Sequence, residues 1–239
     1  MKTLLIIPAY NEENNILKVI DMIKEQCSEA DYLVVNDCSK DGTQALLKEH
    51  VAEYVNCPVN LGIGGAVQTG YRYALENDYD VAVQVDGDGQ HDVSFVPQMV
   101  KEIEEGRADI VIGSRFVDKE GFQSSASRRA GIKILSFFIW ICTGKHVKDV
   151  TSGYRAVNRK FIKIYAEDYP EDYPEPEAIV MGVINGGKVM EYPVIMRERL
   201  AGTSSINLKK SVYYMIKVSL AIFMRRLSLG FRRIREGEE

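Results

Sequence analysis

Over its first 115 residues the chain repeats one rhythm. A short apolar run is followed by a polar cluster, and then by a segment whose apolar residues recur at helical spacing. The runs 3–8 (TLLIIP), 32–37 (YLVVND), 81–86 (VAVQVD) and 109–114 (DIVIGS) predict buried strands, with a shorter one in EYVNCP. Helices are predicted over 14–26, where Ile16, Val19, Ile20 and Ile23 share a face, over TQALLKEH, from about Gly64 to Glu76, and over 93–105 (VSFVPQMVKEIEE). Asn11 is the expected cap of the first helix, and Ser39 or Asp41 of the second. Strands alternating with helices imply an α/β fold, a mostly parallel Rossmann-like sheet flanked by helices.

The second half is less regular. Residues 117–131 read as a Ser- and Gly-containing loop, 132–143 as a helix, 149–155 (DVTSGYR) as a polar turn, and 167–177 as an acidic, Pro-interrupted loop. The segment 188–199 reads as an edge strand, because Pro193 cannot donate to a ladder. There are no internal repeats.

Sheets of this type bind ligands at the carboxyl ends of their strands. The polar clusters fall there: Pro8–Glu12, Asp37–Gly42, Asp86–His91 and Ser114–Arg115. Asp86, Asp88 and Gln90 stand at alternate positions after a strand, and alternate residues of an extended segment share a face. Gly87 and Gly89 let the backbone bend closely around a ligand. Two carboxylates so placed suit a hard divalent cation, Mg²⁺ or Mn²⁺, bridging diphosphate oxygens; the plainer alternative is an acidic turn.

Glu12 suits ribose hydroxyls or simply the N-terminal dipole of a helix. Asp37 suits a base N–H, whereas Asp41-Gly42 is ordinary turn chemistry. NLGIGGAVQTG (60–70) opens a helix without a Walker lysine and reads as mainly structural. Arg115, Arg128 and Arg129 are candidate phosphate ligands, Arg115 the best placed at a strand end. Asp149 is a candidate base or acceptor organiser, or merely a turn cap. His91 either touches the site or caps the next helix.

Charge adds a second theme. The chain of 239 residues carries a net −4, yet 209–235 holds eight basic residues and no acidic one, against 22 basic and 31 acidic residues in 1–208. A basic amphipathic tail points to an anionic membrane surface or to subunit pairing as a homo-oligomer, and the acidic body argues against nucleic acid. No run reaches the ~18 apolar residues of a membrane span. Four scattered cysteines read as reduced thiols of a cytoplasmic protein.

Taken in order, PAYNE, NDCSKDGT, NLGIGGA, DGDGQH, GSRF, DVTSGYRA and RLAGTSS resemble the family 2 glycosyltransferases. The branch is that of dolichyl-phosphate mannose synthases and bacterial polyprenyl-phosphate glycosyltransferases. The resemblance spans about residues 3–205. It implies a GT-A catalytic domain over 1–205, a tail over 206–239, and transfer with inversion from a nucleotide-sugar donor, by analogy a UDP-sugar, to a polyprenyl phosphate. Pro8, Tyr10, Glu12, Asp37, Asp86 and Gly87 would then hold the donor, and Asp86, Asp88 and Gln90 the metal. Arg115, Arg129 and Asp149 would serve the reaction. Arg128, Ser152, Glu177, Arg199 and Ser204 would complete the phosphate and acceptor side. Many members of this branch continue into transmembrane helices. A basic amphipathic end implies instead peripheral attachment at the cytoplasmic face, with a small membrane protein as a possible anchor. A saccharide hydroxyl acceptor and a non-catalytic scaffold are the alternatives.

Overall fold

The computed structural model describes residues 1–118, 120, 126–197 and 217–224. Its strands are β1 (Thr3–Ala9), β2 (Asp31–Asn36), β3 (Tyr54–Asn56), β4 (Val81–Gln84), β5 (Ile110–Ser114), β6 (Arg155–Asn158) and β7 (Val189–Pro193). They form one seven-stranded sheet in the order β3-β2-β1-β4-β6-β5-β7. Every pairing is parallel except those of β6, which runs antiparallel to both β4 and β5.

The helices are α1 (Ile16–Gln26), α2 (Thr43–Glu49), α3 (Gly62–Glu76), α4 (Val96–Glu104), α5 (Ala126–Thr143), α6 (Arg159–Glu167) and α7 (Pro174–Ile184). They cover both faces of the sheet, which is why β1 is buried at every position. Its side chains alternate between two cores. Leu4 and Ile6 join Val67, Tyr71, Phe161 and Ile179, while Leu5 and Ile7 join Ile16, Val19, Leu47 and Met99.

The first half follows the periodicity closely, and β7 is an edge strand as Pro193 predicts. Three expectations are corrected, and one segment that had none gains its elements. α5 starts at Ala126, not 132, because Gly131 is absorbed into the helix. The 167–177 loop ends at Tyr173, since Pro174 and Pro176 sit in the first turn of α7, where no N–H is required of them. The segment after the 149–155 turn is a strand and then a helix, β6 and α6. The caps differ in part: Asn15 and Gly42 precede α1 and α2, and Asn11 and Ser39 bond to each other's loops, whereas Asp41 Oδ1 does accept the N–H of Thr43, the first residue of α2, at 3.0 Å.

Within the 206–239 tail, residues 217–224 are helical. Val218 and Ile222 are buried in the core that contains Tyr71, and Lys217 pairs with Asp172. This part of the tail packs on the body. No helix among the described residues is long and apolar enough to cross a membrane. α5 is nonetheless apolar on two faces. Ile132, Leu135 and Ile139 point into the core, whereas Ile134, Phe137, Phe138, Trp140 and Ile141 are exposed, as are Leu220, Phe223 and Met224.

Candidate active site

Antiparallel β6 organises the site. Arg155, its first residue, pairs with Gln84 at the end of β4 and with Ile112 near the end of β5. The turn entering β6, 149–154, therefore arrives at the same sheet edge as the loops leaving β1, β2, β4 and β5. In a parallel strand this turn would lie at the opposite edge.

The loop leaving β4 carries Asp86, Asp88 and Gln90. Gly89 has φ of 77°, a conformation open to glycine, and it folds the chain so that the Gln90 N–H donates to Asp88 Oδ1 at 3.0 Å. Gln84 Nε2 donates to Asp86 Oδ1 at 3.2 Å. Gly153 of the β6 turn lies against the same carboxylate: a Cβ there would sit 3.1 and 3.2 Å from the Asp86 oxygens and 2.8 Å from Gln84 Nε2. His91 closes the loop, its Nδ1 accepting the Asp86 N–H at 3.0 Å. The next helix is capped by Asp92, whose carboxylate accepts the Ser94 N–H at 3.1 Å.

Among the described residues no group of three or more His, Cys, Asp or Glu side chains could hold a metal unaided. Two carboxylates and an amide fit a hard cation that takes its remaining ligands from a bound diphosphate and water.

Across β6 stands Arg115, directly after β5. Its Nε and Nη2 donate to the two oxygens of Asp149, each at 2.7 Å, and its N–H reaches Asp149 Oδ2 at 3.1 Å. Nη2 also reaches Thr151 Oγ1 at 3.1 Å. Asp149 is fully buried and the Arg115 side chain is 12% exposed. Glu191 of β7 braces the turn, accepting the N–H groups of Lys148 and Asp149 at 2.8 and 2.9 Å. This bidentate pair presents a guanidinium held in one orientation.

The β1 and β2 loops meet at the other end of the site. Asn11 N–H donates to Ser39 Oγ at 3.0 Å, Lys40 N–H to Asn11 Oδ1 at 2.8 Å, and Gly42 N–H to Glu13 Oε2 at 2.7 Å. Glu12 Oε2 accepts from Asn15 at 2.8 Å, and Glu12 flanks the position a Cβ on Gly87 would occupy. Asp37 Oδ1 accepts the Leu61 N–H at 2.6 Å, which ties the Gly-rich segment before α3 to the β2 loop. Pro8 is buried and Tyr10 is exposed.

Residues 4–165 match the model of glycosyl transferase family 2. The chain belongs to this family. It is 30% identical over 219 residues to polyprenol monophosphomannose synthase of Mycolicibacterium smegmatis, covering 86% of this chain and 81% of the relative. It is 31% identical over 216 residues to undecaprenyl-phosphate mannosyltransferase of Micrococcus luteus, covering 87% and 88%. It is also 30% identical over 210 residues to UDP-N-acetylglucosamine–dolichyl-phosphate N-acetylglucosaminyltransferase of Methanococcus voltae, covering 80% and 83%. The fold is similar to that of glucosyl-3-phosphoglycerate synthase from Mycobacterium tuberculosis in complex with phosphoglyceric acid, with a TM-score of 0.71, 19% identity, and coverage of 92% of this chain and 79% of that one. The architecture is therefore GT-A, and the protein is a glycosyltransferase.

Besides Glu191, the transferase holds two further charged residues at its site to which the sequence assigns no role. Arg155 is 1% exposed and lies among Tyr71, Tyr165 and Tyr169. Its Nη2 donates to the Glu175 carbonyl at 3.0 Å, while Nε and Nη1 have no partner among the described residues. Glu175 begins α7, and burial pushes its carboxyl up to about 7, with the Asp86 charge adding to the shift against Arg155 and Arg115. For Arg155 the signal in the sequence is its place in the DVTSGYRA motif, at the head of the RAVN strand.

Other expected residues are more dispersed. The Ser152 hydroxyl donates to the Gly113 carbonyl at 2.6 Å and is buried, so it holds the turn to β5, and its proton is not available to a phosphate. Arg128 and Arg129 are exposed in the first turn of α5, and Glu177 lies in the first turn of α7. Arg199 and Ser204 lie outside the described residues.

Proposed function

We propose that this family 2 glycosyltransferase moves a sugar from a nucleotide-sugar, a UDP-sugar by preference, to a polyprenyl phosphate. In this reading the transfer inverts the anomeric carbon and depends on Mg²⁺ or Mn²⁺. The observation that carries the reading is the Asp86–Gln90 loop and the Arg115–Asp149 pair flanking one strand, β6, at one sheet edge. The names of the three relatives support the acceptor class, and one supports UDP. A second structure of that synthase, in complex with Mn²⁺, UDP and glucosyl-3-phosphoglycerate (TM-score 0.68, 20% identity), supports a cation and a uridine nucleotide.

A cation held by Asp86, Asp88 and Gln90 would neutralise charge on the leaving diphosphate. Pro8, Tyr10, Glu12, Asp37 and Gly87 would line the nucleoside side. Arg115, fixed by Asp149, would orient a phosphate, with Arg128, Arg129 and Glu177 on the acceptor side and Arg199 and Ser204 following β7. An acceptor phosphate oxygen then attacks C1 in line, the C1–O bond to the diphosphate breaks, and the configuration inverts. A sugar hydroxyl would require a base, and Asp149, buried and ion-paired at both oxygens, is a poor one. A phosphate is already anionic and requires none.

The exposed face of α5 supports work at a membrane surface. Ile134, Phe137, Phe138 and Ile141 follow helical spacing on the solvent side, with Lys133, Lys145 and Lys148 near them in sequence. The reading places the protein peripherally at the cytoplasmic face, alone or with a small membrane-protein partner.

The test is transfer from a panel of labelled nucleotide sugars to undecaprenyl phosphate with Mg²⁺ or Mn²⁺, scored as lipid-soluble product. Product with one donor and none from Asp88→Ala is the expected result. Transfer only to saccharide acceptors, or undiminished transfer by Asp88→Ala, would overturn the reading.

A further inference from the structure

His91 is 4% exposed, a depth at which an imidazole usually serves packing alone. Here both ring nitrogens face one residue. Nδ1 accepts the Asp86 N–H at 3.0 Å, and Nε2 lies 3.6 Å from Asp86 Oδ2. The first contact decides the tautomer: a nitrogen that accepts an amide proton carries none itself, so in the neutral ring the proton sits on Nε2, towards the carboxylate.

The ring is also fixed from outside the loop. It stacks on Tyr154, centroids 4.7 Å apart and planes 11° from parallel. The Tyr154 hydroxyl donates to the Asp92 carbonyl at 2.9 Å, and Tyr154 is fully buried. An antiparallel bridge joins His91 to Met196, the Arg197 N–H donates to the Gln90 carbonyl at 2.9 Å, and Arg197 Nη2 pairs with Asp92 at 2.8 Å. The carboxylate it faces is 36% exposed; Gln84 Nε2 holds its Oδ1, and the His91 ring stands beside its Oδ2.

We propose that His91 is a positioning residue for the cation site, presetting the main chain and carboxylate of Asp86 before a cation arrives. The proposal rests on reading Asp86–Gln90 as the cation loop. Hydrogen-bonded supports of this kind typically change metal affinity by roughly 10- to 100-fold.

The experiment titrates the full chain with Mn²⁺, read by electron paramagnetic resonance, and separately measures UDP binding without metal. His91→Phe keeps a ring on Tyr154 and loses both nitrogens. Its Mn²⁺ Kd rises by roughly 10-fold or more, while metal-free UDP binding stays within about twofold. A residue with only a packing role would lower thermal stability and weaken both affinities together. Should His91→Phe not fold, His91→Gln, which loses the acceptor beside the Asp86 N–H, carries the test with a rise of roughly threefold or more. Unchanged Mn²⁺ affinity in the folded variant overturns the proposal. Asp88→Ala separates the two readings: if it too binds Mn²⁺ as the wild type does, the cation loop itself has failed, and if it alone loses Mn²⁺, only the role of His91 has.

Discussion

The two ends of the site are built differently. At the end proposed to hold the nucleoside, the β1 and β2 loops hold each other through exposed contacts such as Asn11 to Ser39 and Glu13 to Gly42. At the end proposed to meet the phosphates, Asp149 and Arg155 are buried, Arg115 nearly so, and each has its orientation set by contacts from β5, β6, β7 or α7. Water screens the first set, so each bond there contributes little and is replaceable. The second set is desolvated, which strengthens each pairing and makes each loss expensive. Under the proposed function, the screened end would grip a neutral base loosely and the desolvated end would stabilise charge where bonds change.

Four substitutions probe that contrast. Asp149→Asn strips Arg115 of its buried counterion. Stability falls by about 3 kcal/mol in denaturant titration, as when one partner of a buried pair is removed. Transfer falls by roughly 100-fold or more, as when a charge-stabilising donor is misplaced. A loss no larger than that of a surface pair would erase the distinction between the two ends.

Gly153→Ala places a methyl 3.1 Å from the Asp86 carboxylate. Weakening of Mn²⁺ binding by roughly 10-fold is expected, read by titration, with little change in UDP binding without metal. Equal losses in both would mean that the whole sheet edge had shifted.

Glu175→Gln tests the buried carboxyl through pH. Its folded value of about 7 lies above the ordinary 4.5. Between these values the folded state holds a proton that the unfolded state has released. The stabilising contribution is therefore complete below pH 4.5 and is lost as pH rises through 7. In metal-free protein the wild type should lose about 2–3 kcal/mol relative to the variant from pH 5 to pH 8, read from denaturant midpoints. Parallel pH profiles would place Glu175 with the screened groups.

Ser39→Ala should do least. Removing the exposed contact to Asn11 N–H costs about 0.5 kcal/mol in thermal or chemical unfolding, and donor KM stays within about threefold. A large effect here would show that the nucleoside end is as rigid as the phosphate end.

The same division separates what was legible from what was not. Elements up to β5 follow local periodicity, and polar residues at the carboxyl ends of parallel strands gather at one edge by topology alone. The placement of the Asp86–Gln90 loop and Arg115 at that edge needed nothing more. β6 is four residues long and begins with an arginine, so no local pattern distinguishes it from a turn. Pro174 and Pro176 look like breakers until they are seen in a helix's first turn. Arg155, Glu175 and Glu191 were missed because their roles depend on partners distant in the chain, 20 residues away for Arg155 and the Glu175 carbonyl and 42 for Glu191 and the Asp149 N–H.

By itself the sequence determined the α/β class, the strand ends on which a site would sit, and the charged loop after β4, because hydrophobic period and turn chemistry are local. Only the tertiary structure decided that β6 runs against its neighbours. That reversal carries the 149–154 turn to the active edge, closes Asp149 on Arg115, sets Gly153 against Asp86 and buries Arg155 beneath Glu175. Strand direction in a sheet is settled by which distant segments cover its two faces, a balance of packing that no short stretch of sequence contains.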